Sequence, residues 1–250
     1  WLAMKAKLDE ALEVLRLTGI PNPQEDLDEI VASVHLERSA SADPLFSRRY
    51  RFPVFLAITV GMFCQLSGIN AVLYYLNDIF AMAGASKVSG DLQAVAVGAA
   101  NLVATLLAMS VIDKIGRKKL LLFGTAGLAF CLSAVSYVFL THRHLDWLVW
   151  LLMIYIGFFA VSQGAVVWVY ISEVFPTRVR SKRQSLGSSS HWVTNAAISL
   201  VFPLMAMSSG AYPFIFFAAM MVLDFFLVLF YYPETSNISL EHLQTSLGID

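Results

Sequence analysis

The chain has 250 residues, of which 58% are hydrophobic and only 14% are charged. Because a soluble domain carries about a quarter charged residues, this composition excludes an ordinary soluble protein and indicates a membrane protein. The net charge of −1 provides no basic surface, so a nucleic-acid partner is not expected. The two cysteines, Cys64 and Cys131, lie inside apolar runs, where we expect buried thiols rather than a disulfide.

Residues 1–51 are comparatively polar and show helical periodicity. Apolar residues recur at the spacing of one helix face, and Pro21-Asn22-Pro23 ends that helix. A second helix follows, with acidic residues in its first turn, where negative charge suits the helix dipole. The apolar faces consist of Leu8, Ala11, Leu12 and Leu15, and then of Leu27, Ile30, Val31 and Val34. We predict two or three short helices here; a flexible linker is the alternative.

Long runs without Asp, Glu, Lys or Arg dominate the rest of the chain. They cover residues 52–77, 92–112, 120–142, 147–172 and 184–223. A helix needs roughly 20 mostly apolar residues to cross the hydrocarbon core of a bilayer. The fifth run is long enough for nearly two passes and is broken at Ser208-Ser209-Gly210, which makes residues 211–232 the last span. The sequence therefore predicts six transmembrane helices.

Lys and Arg residues are concentrated in alternate loops, which sets the orientation because such residues collect on the cytoplasmic side. One set of loops holds Arg48, Arg49, Arg51, Lys114, Arg117, Lys118, Lys119, Arg178, Arg180, Lys182 and Arg183. The opposite loops hold only Lys87 and Arg143. We therefore expect residues 1–51 and the C-terminus to be cytoplasmic.

Two amides and a serine interrupt the first apolar run, in Gln65-Leu66-Ser67-Gly68-Ile69-Asn70. Polar groups in a membrane helix are costly unless they face protein or water. Gln65, Asn70 and Tyr74 are placed to share one broad face, and amides offer the donors and acceptors that a neutral polyol needs. The alternative is that these groups hold neighbouring helices together. The residues by themselves favour neither interpretation.

Charged motifs follow the second, fourth and sixth spans. The segment 113–119 is a tight basic turn whose simplest role is to fix topology. Glu173 lies at a membrane edge in Glu173-Val174-Phe175-Pro176, with Arg178, Arg180 and Lys182 nearby in sequence, so we predict a salt-bridge cluster around it. Pro233-Glu234-Thr235 closes the last span, and Ser239 is expected to begin a short amphipathic tail helix.

Together these motifs resemble the sugar porters of the major facilitator superfamily, in register over all 250 residues. The resemblance implies an all-α membrane protein with half of a major facilitator superfamily fold: six transmembrane helices preceded by short cytoplasmic helices. The implied domains are cytoplasmic linker helices in residues 1–51, a six-helix C-terminal bundle in residues 52–233 and a cytoplasmic tail in residues 234–250. The N-terminal six-helix half is implied as a partner that this sequence does not contain.

The resemblance also implies a sugar site and its gates. Substrate contacts are implied for Gln65, Asn70, Asn101, Trp168, His191, Trp192 and Asn195. Tyr74 and Tyr75 match an extracellular gate. A cytoplasmic latch is implied for Asp113, Arg117, Glu173, Arg180 and Glu234. For the tryptophans, anchoring at the membrane interface is the alternative, and it suits Trp147 and Trp150 at the start of a span.

Three departures from the family pattern are visible. Cys64 stands where a second Gln is usual, and His191 stands where an amide is common. The Gly-Pro-rich break of the tenth helix is replaced by Ser162-Gln163-Gly164-Ala165-Val166-Val167, which has no proline. These departures leave the identity of the sugar open.

The implied function is transmembrane transport of a monosaccharide (a hexose or pentose) or a polyol, by alternating access in a plasma or inner membrane. We expect no enzyme activity and no cofactor. Proton coupling would use an acidic residue of the N-terminal half, so the chain does not distinguish uniport from proton symport. A membrane sugar sensor and an inactive truncated fragment are the alternatives, and the short tail argues against the sensor.

Asp224 is a charged residue deep inside the last span, among apolar neighbours. An ionisable residue at this depth is a functional candidate. The resemblance weighs against that role, because the twelfth helix of the superfamily is usually a peripheral support. We therefore expect Asp224 to be protonated, or bonded to a polar group of a neighbouring helix, rather than to belong to a proton-coupling path.

Overall fold

The computed structural model describes residues 2–5, 7–17, 22–40, 48–84, 87–175, 179–236 and 238. Over these ranges the chain is helical, without strands. Its α-helices are α1 (Leu8–Leu17), α2 (Pro23–Ala40), α3 (Arg51–Leu66), α4 (Ile69–Tyr74), α5 (Leu76–Met82), α6 (Lys87–Ile115), α7 (Arg117–Thr141), α8 (Leu148–Phe159), α9 (Ala165–Glu173), α10 (Arg180–Ser208) and α11 (Tyr212–Tyr231). The helix predicted to begin at Ser239 lies outside the described residues.

The predicted linker helices are present as α1 and α2. The two helices pack against each other, and each buries an apolar side chain, Ala11 in α1 and Leu27 in α2. A surface ion pair joins Lys7 Nζ to Glu10 Oε1 at 2.8 Å. The two stretches with apolar periodicity are therefore helical over the described positions, as the sequence predicted.

Five segments of the described chain are long and apolar enough to cross a membrane. They are Arg48–Tyr74, Asp91–Ala108, Arg117–Thr141, Leu145–Glu173 and Tyr212–Tyr231. The remaining predicted span, the fifth in chain order, corresponds to α10, a continuous helix of 29 residues that falls short of the same hydropathy. The reason is its first half, where Ser and Gln occupy most positions from 184 to 190. Composition thus confirms five of the six predicted spans, and α10 forms as a helix that packs along α3.

The first predicted span, residues 52–77, is broken rather than continuous. Helix α3 ends at Leu66, and the chain turns at Gly68, whose φ of 84° is accessible to glycine at little cost. A side chain at this position would also overlap the Phe217 ring of α11. Tyr155 donates its hydroxyl to the freed carbonyl of Ser67 at 2.9 Å. The break places Gln65 at the end of α3 and Asn70 at the start of α4.

Glycines allow close approach of helices that carry the site. A Cβ on Gly61 of α3 would lie 2.5 Å from the Gly187 carbonyl oxygen of α10, so the two backbones touch. Small residues at such a contact are typical of membrane helix pairs, where van der Waals packing replaces the hydrophobic effect. This contact fixes the distance between Gln65, one turn after Gly61, and His191, one turn after Gly187.

Two apolar cores fill the bundle. One is built around Phe80, Val135, Leu152 and Phe214, and includes Cys131. The other lies nearer Tyr50 and includes Cys64. Both cysteines are free and buried, as the sequence predicted. Of the polar residues of the predicted site, Gln65 lies on α3, Asn70 on α4, and His191 and Asn195 on α10, whereas Asn101 lies on α6.

Candidate substrate site and its charged latch

A hydrogen-bonded chain of three side chains joins α4, α3 and α10. Asn70 Nδ2 donates to Gln65 Oε1 at 3.1 Å, and Gln65 Nε2 lies 2.8 Å from His191 Nε2. Because the amide nitrogen of Gln65 is a donor, His191 Nε2 acts as the acceptor in this arrangement. Gln65 and His191 are 2% and 6% exposed, whereas Asn70 is half-buried. The amides that sequence analysis grouped on one face are therefore brought together.

Two indole rings flank His191. Trp168 of α9 lies 4.8 Å from the imidazole, centroid to centroid and tilted by 55°, and Trp192 lies 5.2 Å away at 80°. The indoles are 41% and 59% exposed, so each has an open surface beyond the contact with His191. We call Gln65, Asn70, Trp168, His191 and Trp192 the amide–aromatic cluster. Polar amides beside open aromatic faces suit a ligand that has both hydroxyl groups and C–H surfaces.

Other predicted site residues lie outside this cluster. Asn195 is buried one turn after His191, and its Oδ1 accepts a hydrogen bond from Ser199 Oγ at 3.1 Å. Asn101 is half-buried on α6, and within the described residues its side chain makes no hydrogen bond. Among the described residues, no side-chain hydrogen bond therefore joins Asn195 or Asn101 to the amide–aromatic cluster.

The two predicted gate tyrosines have different environments. Tyr75 donates its hydroxyl to the Ser199 carbonyl at 3.1 Å and stacks on Phe202, with the ring centroids 5.1 Å apart. Tyr75 is thus tied to α10. Tyr74, in contrast, is 61% exposed.

An ion pair at the opposite side of the bundle from the tyrosines links α7 to α9. Arg117 Nη2 lies 3.1 Å from Glu173 Oε1, and Glu173 Oε2 accepts the Thr235 hydroxyl at 2.6 Å. The side chains of Arg117 and Glu173 are 11% and 28% exposed, so water screens the pair only in part. We call the end of the bundle that carries this pair the charged end.

Glu234 caps helix α7. Its carboxylate accepts the backbone N–H groups of Arg117 at 2.8 Å and of Lys118 at 3.2 Å. A carboxylate at a helix N-terminus satisfies unpaired donors and meets the positive end of the helix dipole. Gly116 makes room for it, because a Cβ there would lie 2.6 Å from Glu234 Oε2. The predicted latch residue Glu234 thus joins the segment after α11 to α7 through backbone groups.

Arg180 and Asp113 are the remaining members of the predicted latch. Arg180 does not pair with Glu173; its Nε donates to the Phe175 carbonyl at 3.3 Å. The expected pairing of these two residues is therefore wrong, since the Arg180 guanidinium bonds a backbone carbonyl two residues after the end of α9. The side chain of Asp113 lies outside the described residues.

Sequence reasoning missed two buried polar contacts. Arg183 is 1% exposed, and its guanidinium carbon lies 3.6 Å from the centroid of the Tyr50 ring, a cation–π contact. Gln163 Nε2 donates to Asp224 Oδ2 at 2.7 Å. The second contact confirms that Asp224 bonds a polar group of a neighbouring helix. Its partner was not foreseeable, because 61 residues separate the two in sequence.

Long apolar helices around a buried polar cluster define a multi-pass membrane protein. Residues 1–247 match the profile of the sugar (and other) transporter family. The chain therefore belongs to this family of transporters, as the sequence motifs predicted. Its fold is half of a major facilitator superfamily fold.

Relatives and solved structures agree with this assignment. The chain is 34% identical over 249 residues to an arabinose-proton symporter of Bacillus subtilis (strain 168), covering 98% of this chain and 53% of that protein. It is 30% identical over 251 residues to solute carrier family 2, facilitated glucose transporter member 3, of Oryctolagus cuniculus, covering 97% and 50%. It is similar, with a TM-score of 0.78 and 29% identity, to the proton:xylose symporter XylE bound to 6-bromo-6-deoxy-D-glucose, covering 99% and 53%. The chain spans about half the length of the relatives it matches.

Proposed function

We propose that this chain is the C-terminal half of a sugar porter that carries a monosaccharide, either a hexose or a pentose, or a polyol across a membrane by alternating access. The observation that carries the proposal is the amide–aromatic cluster, in which two amides and a histidine lie beside two partly open indoles. Sugars present hydroxyl groups around the ring edge and C–H groups on the ring faces. The cluster offers a partner for each kind of surface.

In the proposed binding mode, the indole of Trp168 covers a C–H face of the ring. Asn70 is half-buried and donates one of its two amide protons to Gln65, so the other proton and its carbonyl are available for hydroxyl groups. His191 holds Gln65 from the other side and keeps its amide oriented. A neutral site of this kind binds a neutral polyol without bringing a charge into the membrane.

The proposed partner is an N-terminal six-helix half. The first half of α10 exposes a polar surface whose groove has a volume of about 530 Å³ and is lined by Ser181, Gln184, Ser185, Ser188, Ser189, Trp192 and Val193. Lipid cannot satisfy such a polar helix surface. A second six-helix half that covers it would place the substrate between two halves, near the membrane midplane. Residues 52–233 would then form one of the two moving bodies, with residues 1–51 linking them and residues 234–250 as the tail.

The Arg117–Glu173 pair would act as the latch of this transporter. By the distribution of Lys and Arg, the charged end faces the cytoplasm, together with residues 1–51 and the C-terminus. Closure of the charged end keeps the pair intact while the other end is open to the outside. Separation of the helices would then break the pair and release the sugar inside. A plasma or inner membrane is the proposed location.

Coupling would be decided in the other half. The relatives include proton symporters and a facilitated transporter, and the amide–aromatic cluster serves either mode. The proposal includes no resident cofactor. Any proton-coupling acid would belong to the N-terminal half.

The experiment is uptake by the full-length gene product in proteoliposomes that contain no other transporter. Labelled D-xylose, L-arabinose and D-glucose are supplied with and without a proton gradient. We expect uptake of at least one of these sugars, and none by residues 1–250 alone, because half a bundle leaves its polar face against lipid. Uptake by the 250-residue chain alone would contradict the two-half proposal, and no uptake of any sugar or polyol by the full-length product would contradict transport itself.

A further inference from the structure

A buried carboxyl group of α11 bonds a π-helical turn that lies between α8 and α9. Asp224 is 2% exposed, and its Oδ2 accepts a hydrogen bond from Gln163 Nε2 at 2.7 Å. Gln163 is 1% exposed and lies in the segment Ala160–Gly164, which is a single π-helical turn between α8 and α9. The same amide nitrogen lies 3.7 Å from Met221 Sδ. An acidic side chain deep in a membrane bundle is rare, and in the described part of the chain the side chain that bonds Asp224 belongs to the π turn.

A π turn changes the orientation, around the helix axis, of the side chains in the helix that follows it. It contains one residue more than the corresponding α turn, and one residue corresponds to about 100° of rotation around the helix axis. The orientation of α9 relative to α8 therefore depends on whether the turn at Ala160–Gly164 persists. Such single-turn π segments occur often at functional sites.

Helix α9 carries Trp168, five residues after Gln163. At about 100° per residue, five residues place the two side chains roughly 140° apart around the helix. Gln163 faces α11, and Trp168 reaches His191, 4.8 Å away between ring centroids. Conversion of the π turn to an α turn would rotate α9 by about 100° and move the indole away from His191.

Of the two polar atoms of the Gln163 side chain, the amide nitrogen makes the hydrogen bond to Asp224. The other atom, Oε1, is buried without a hydrogen-bond partner in the described part of the chain. An apolar side chain of similar size would avoid that unsatisfied acceptor. The other face of the π turn packs tightly on α7, where a Cβ on Gly124 would overlap Ser162. The turn is thus packed on one side and hydrogen-bonded to Asp224 on the other.

We propose that Asp224 is a positioning residue for the sugar site: by binding Gln163 it stabilises the π turn and so fixes the orientation of Trp168 against His191. The proposal rests on the proposed function for the role of Trp168 toward sugar. The orientation of Trp168 itself can be tested without any sugar.

The first test is the environment of Trp168 in the full-length gene product, labelled with 5-fluorotryptophan and followed by ¹⁹F NMR. The Trp168→Phe variant assigns the resonance. Asp224→Leu removes the acceptor and should shift or broaden the Trp168 resonance, whereas Asp224→Asn retains an acceptor oxygen and should leave it near its wild-type position. Ser136→Ala is the matched control, because it removes a buried hydroxyl of α7 that donates within its own helix, to the Leu132 carbonyl. A Trp168 resonance unchanged by Asp224→Leu would overturn the proposal.

The second test is sugar transport by the same variants. The Asp224→Leu, Gln163→Leu double variant removes both polar partners and so avoids an unpaired buried group, which keeps the experiment informative if the single Leu variant fails to fold. We expect this double variant to fold, to show the displaced Trp168 resonance and to raise the KM for sugar by about 3- to 10-fold. Asp224→Asn should stay within about 2-fold of wild type.

Outcomes of the two tests separate the two proposals. If the wild-type protein transports no sugar, the proposed function fails, while the ¹⁹F spectrum still decides the role of Asp224. A double variant with the wild-type KM and the wild-type Trp168 resonance would show that the Gln163–Asp224 bond serves packing alone. Loss of proton-driven accumulation in Asp224→Asn, with sugar exchange retained, would assign Asp224 to proton coupling and also overturn the positioning role.

Discussion

Gln65 Nε2 lies 2.8 Å from His191 Nε2, although the two residues are 126 positions apart. Gly61 and Gly187 allow this contact, because their helices touch one turn before each of the two side chains. The imidazole in turn lies against both Trp168 and Trp192. His191 is therefore the member of the amide–aromatic cluster that joins its polar and aromatic parts.

Replacement of His191 should show how much its hydrogen bond with Gln65 contributes to sugar binding. His191→Gln supplies an amide oxygen that can accept the Gln65 N–H, whereas His191→Leu leaves that buried donor unpaired, at a cost of about 1–3 kcal/mol. We expect sugar binding by the full-length product to be kept within a few-fold in the Gln variant and to be lost or strongly weakened in the Leu variant. Isothermal titration calorimetry measures both. Equal affinities of the two variants would argue against a role for the hydrogen bond.

Truncation of the amides should weaken sugar binding without unfolding the protein. Gln65→Ala or Asn70→Ala each removes a hydrogen bond worth about 0.5–1.5 kcal/mol net, which corresponds to a loss of affinity of about 2- to 10-fold. Trp168→Ala should cost more, because an aromatic side chain contributes a large packing area. Asn77→Ala is the control, since this exposed amide bonds only Asp91 among the described residues. Wild-type affinity in all three site variants would show that the site lies elsewhere.

Neutralisation of Glu173 should loosen the charged end. Glu173→Gln keeps the shape of the side chain but loses the charge that attracts Arg117 Nη2 across 3.1 Å. We expect a larger fraction of molecules open at that end, measured as faster labelling of a cysteine introduced there. Glu10→Gln is the matched control, because it neutralises the exposed pair with Lys7 on α1. If both variants were labelled at the same rate, the Arg117–Glu173 pair would not hold the charged end closed, and its charges would serve only to set the topology.

Gly68 should be among the least replaceable residues of the bundle. Gly68→Ala combines a φ of 84° with overlap of the Phe217 ring, so we expect a loss of stability above about 1 kcal/mol and a lower thermal transition in detergent. Gly84→Ala is the control, since its φ of 85° is nearly the same but a Cβ there meets nothing within 4 Å. The difference between the two variants measures the packing contribution. Equal losses would mean that backbone strain alone accounts for the effect.

Most of the fold was predictable because its signals are local. Runs of some 20 apolar residues indicate bilayer-spanning helices wherever they pack, and the motifs around Gln65, Glu173 and Glu234 identified the family. The break of the first span at Gly68 was not predicted. The run of residues 52–77 continues across Gly68 without a charged residue, and the turn is fixed by Phe217 and Tyr155 from other helices. Helix α10 was predicted as a membrane span, but it is less apolar than the five spans that the structure supports. Its first half is rich in Ser, and the helix packs along α3.

The sequence by itself determined which residue types are available inside the membrane: amides at positions 65 and 70, indoles at 168 and 192, and one deep carboxyl at 224. Only the tertiary structure decided their partners. Gln65 bonds His191, and Asp224 bonds Gln163. Arg180 donates to the Phe175 carbonyl instead of pairing with Glu173. The physical reason is that a hydrogen bond depends on distance and angle between two atoms. In a helical bundle this distance and angle are set by the contacts between helices and by changes in helix rotation, such as the one that the π turn at Ala160–Gly164 introduces. Both depend on residues far apart in the chain.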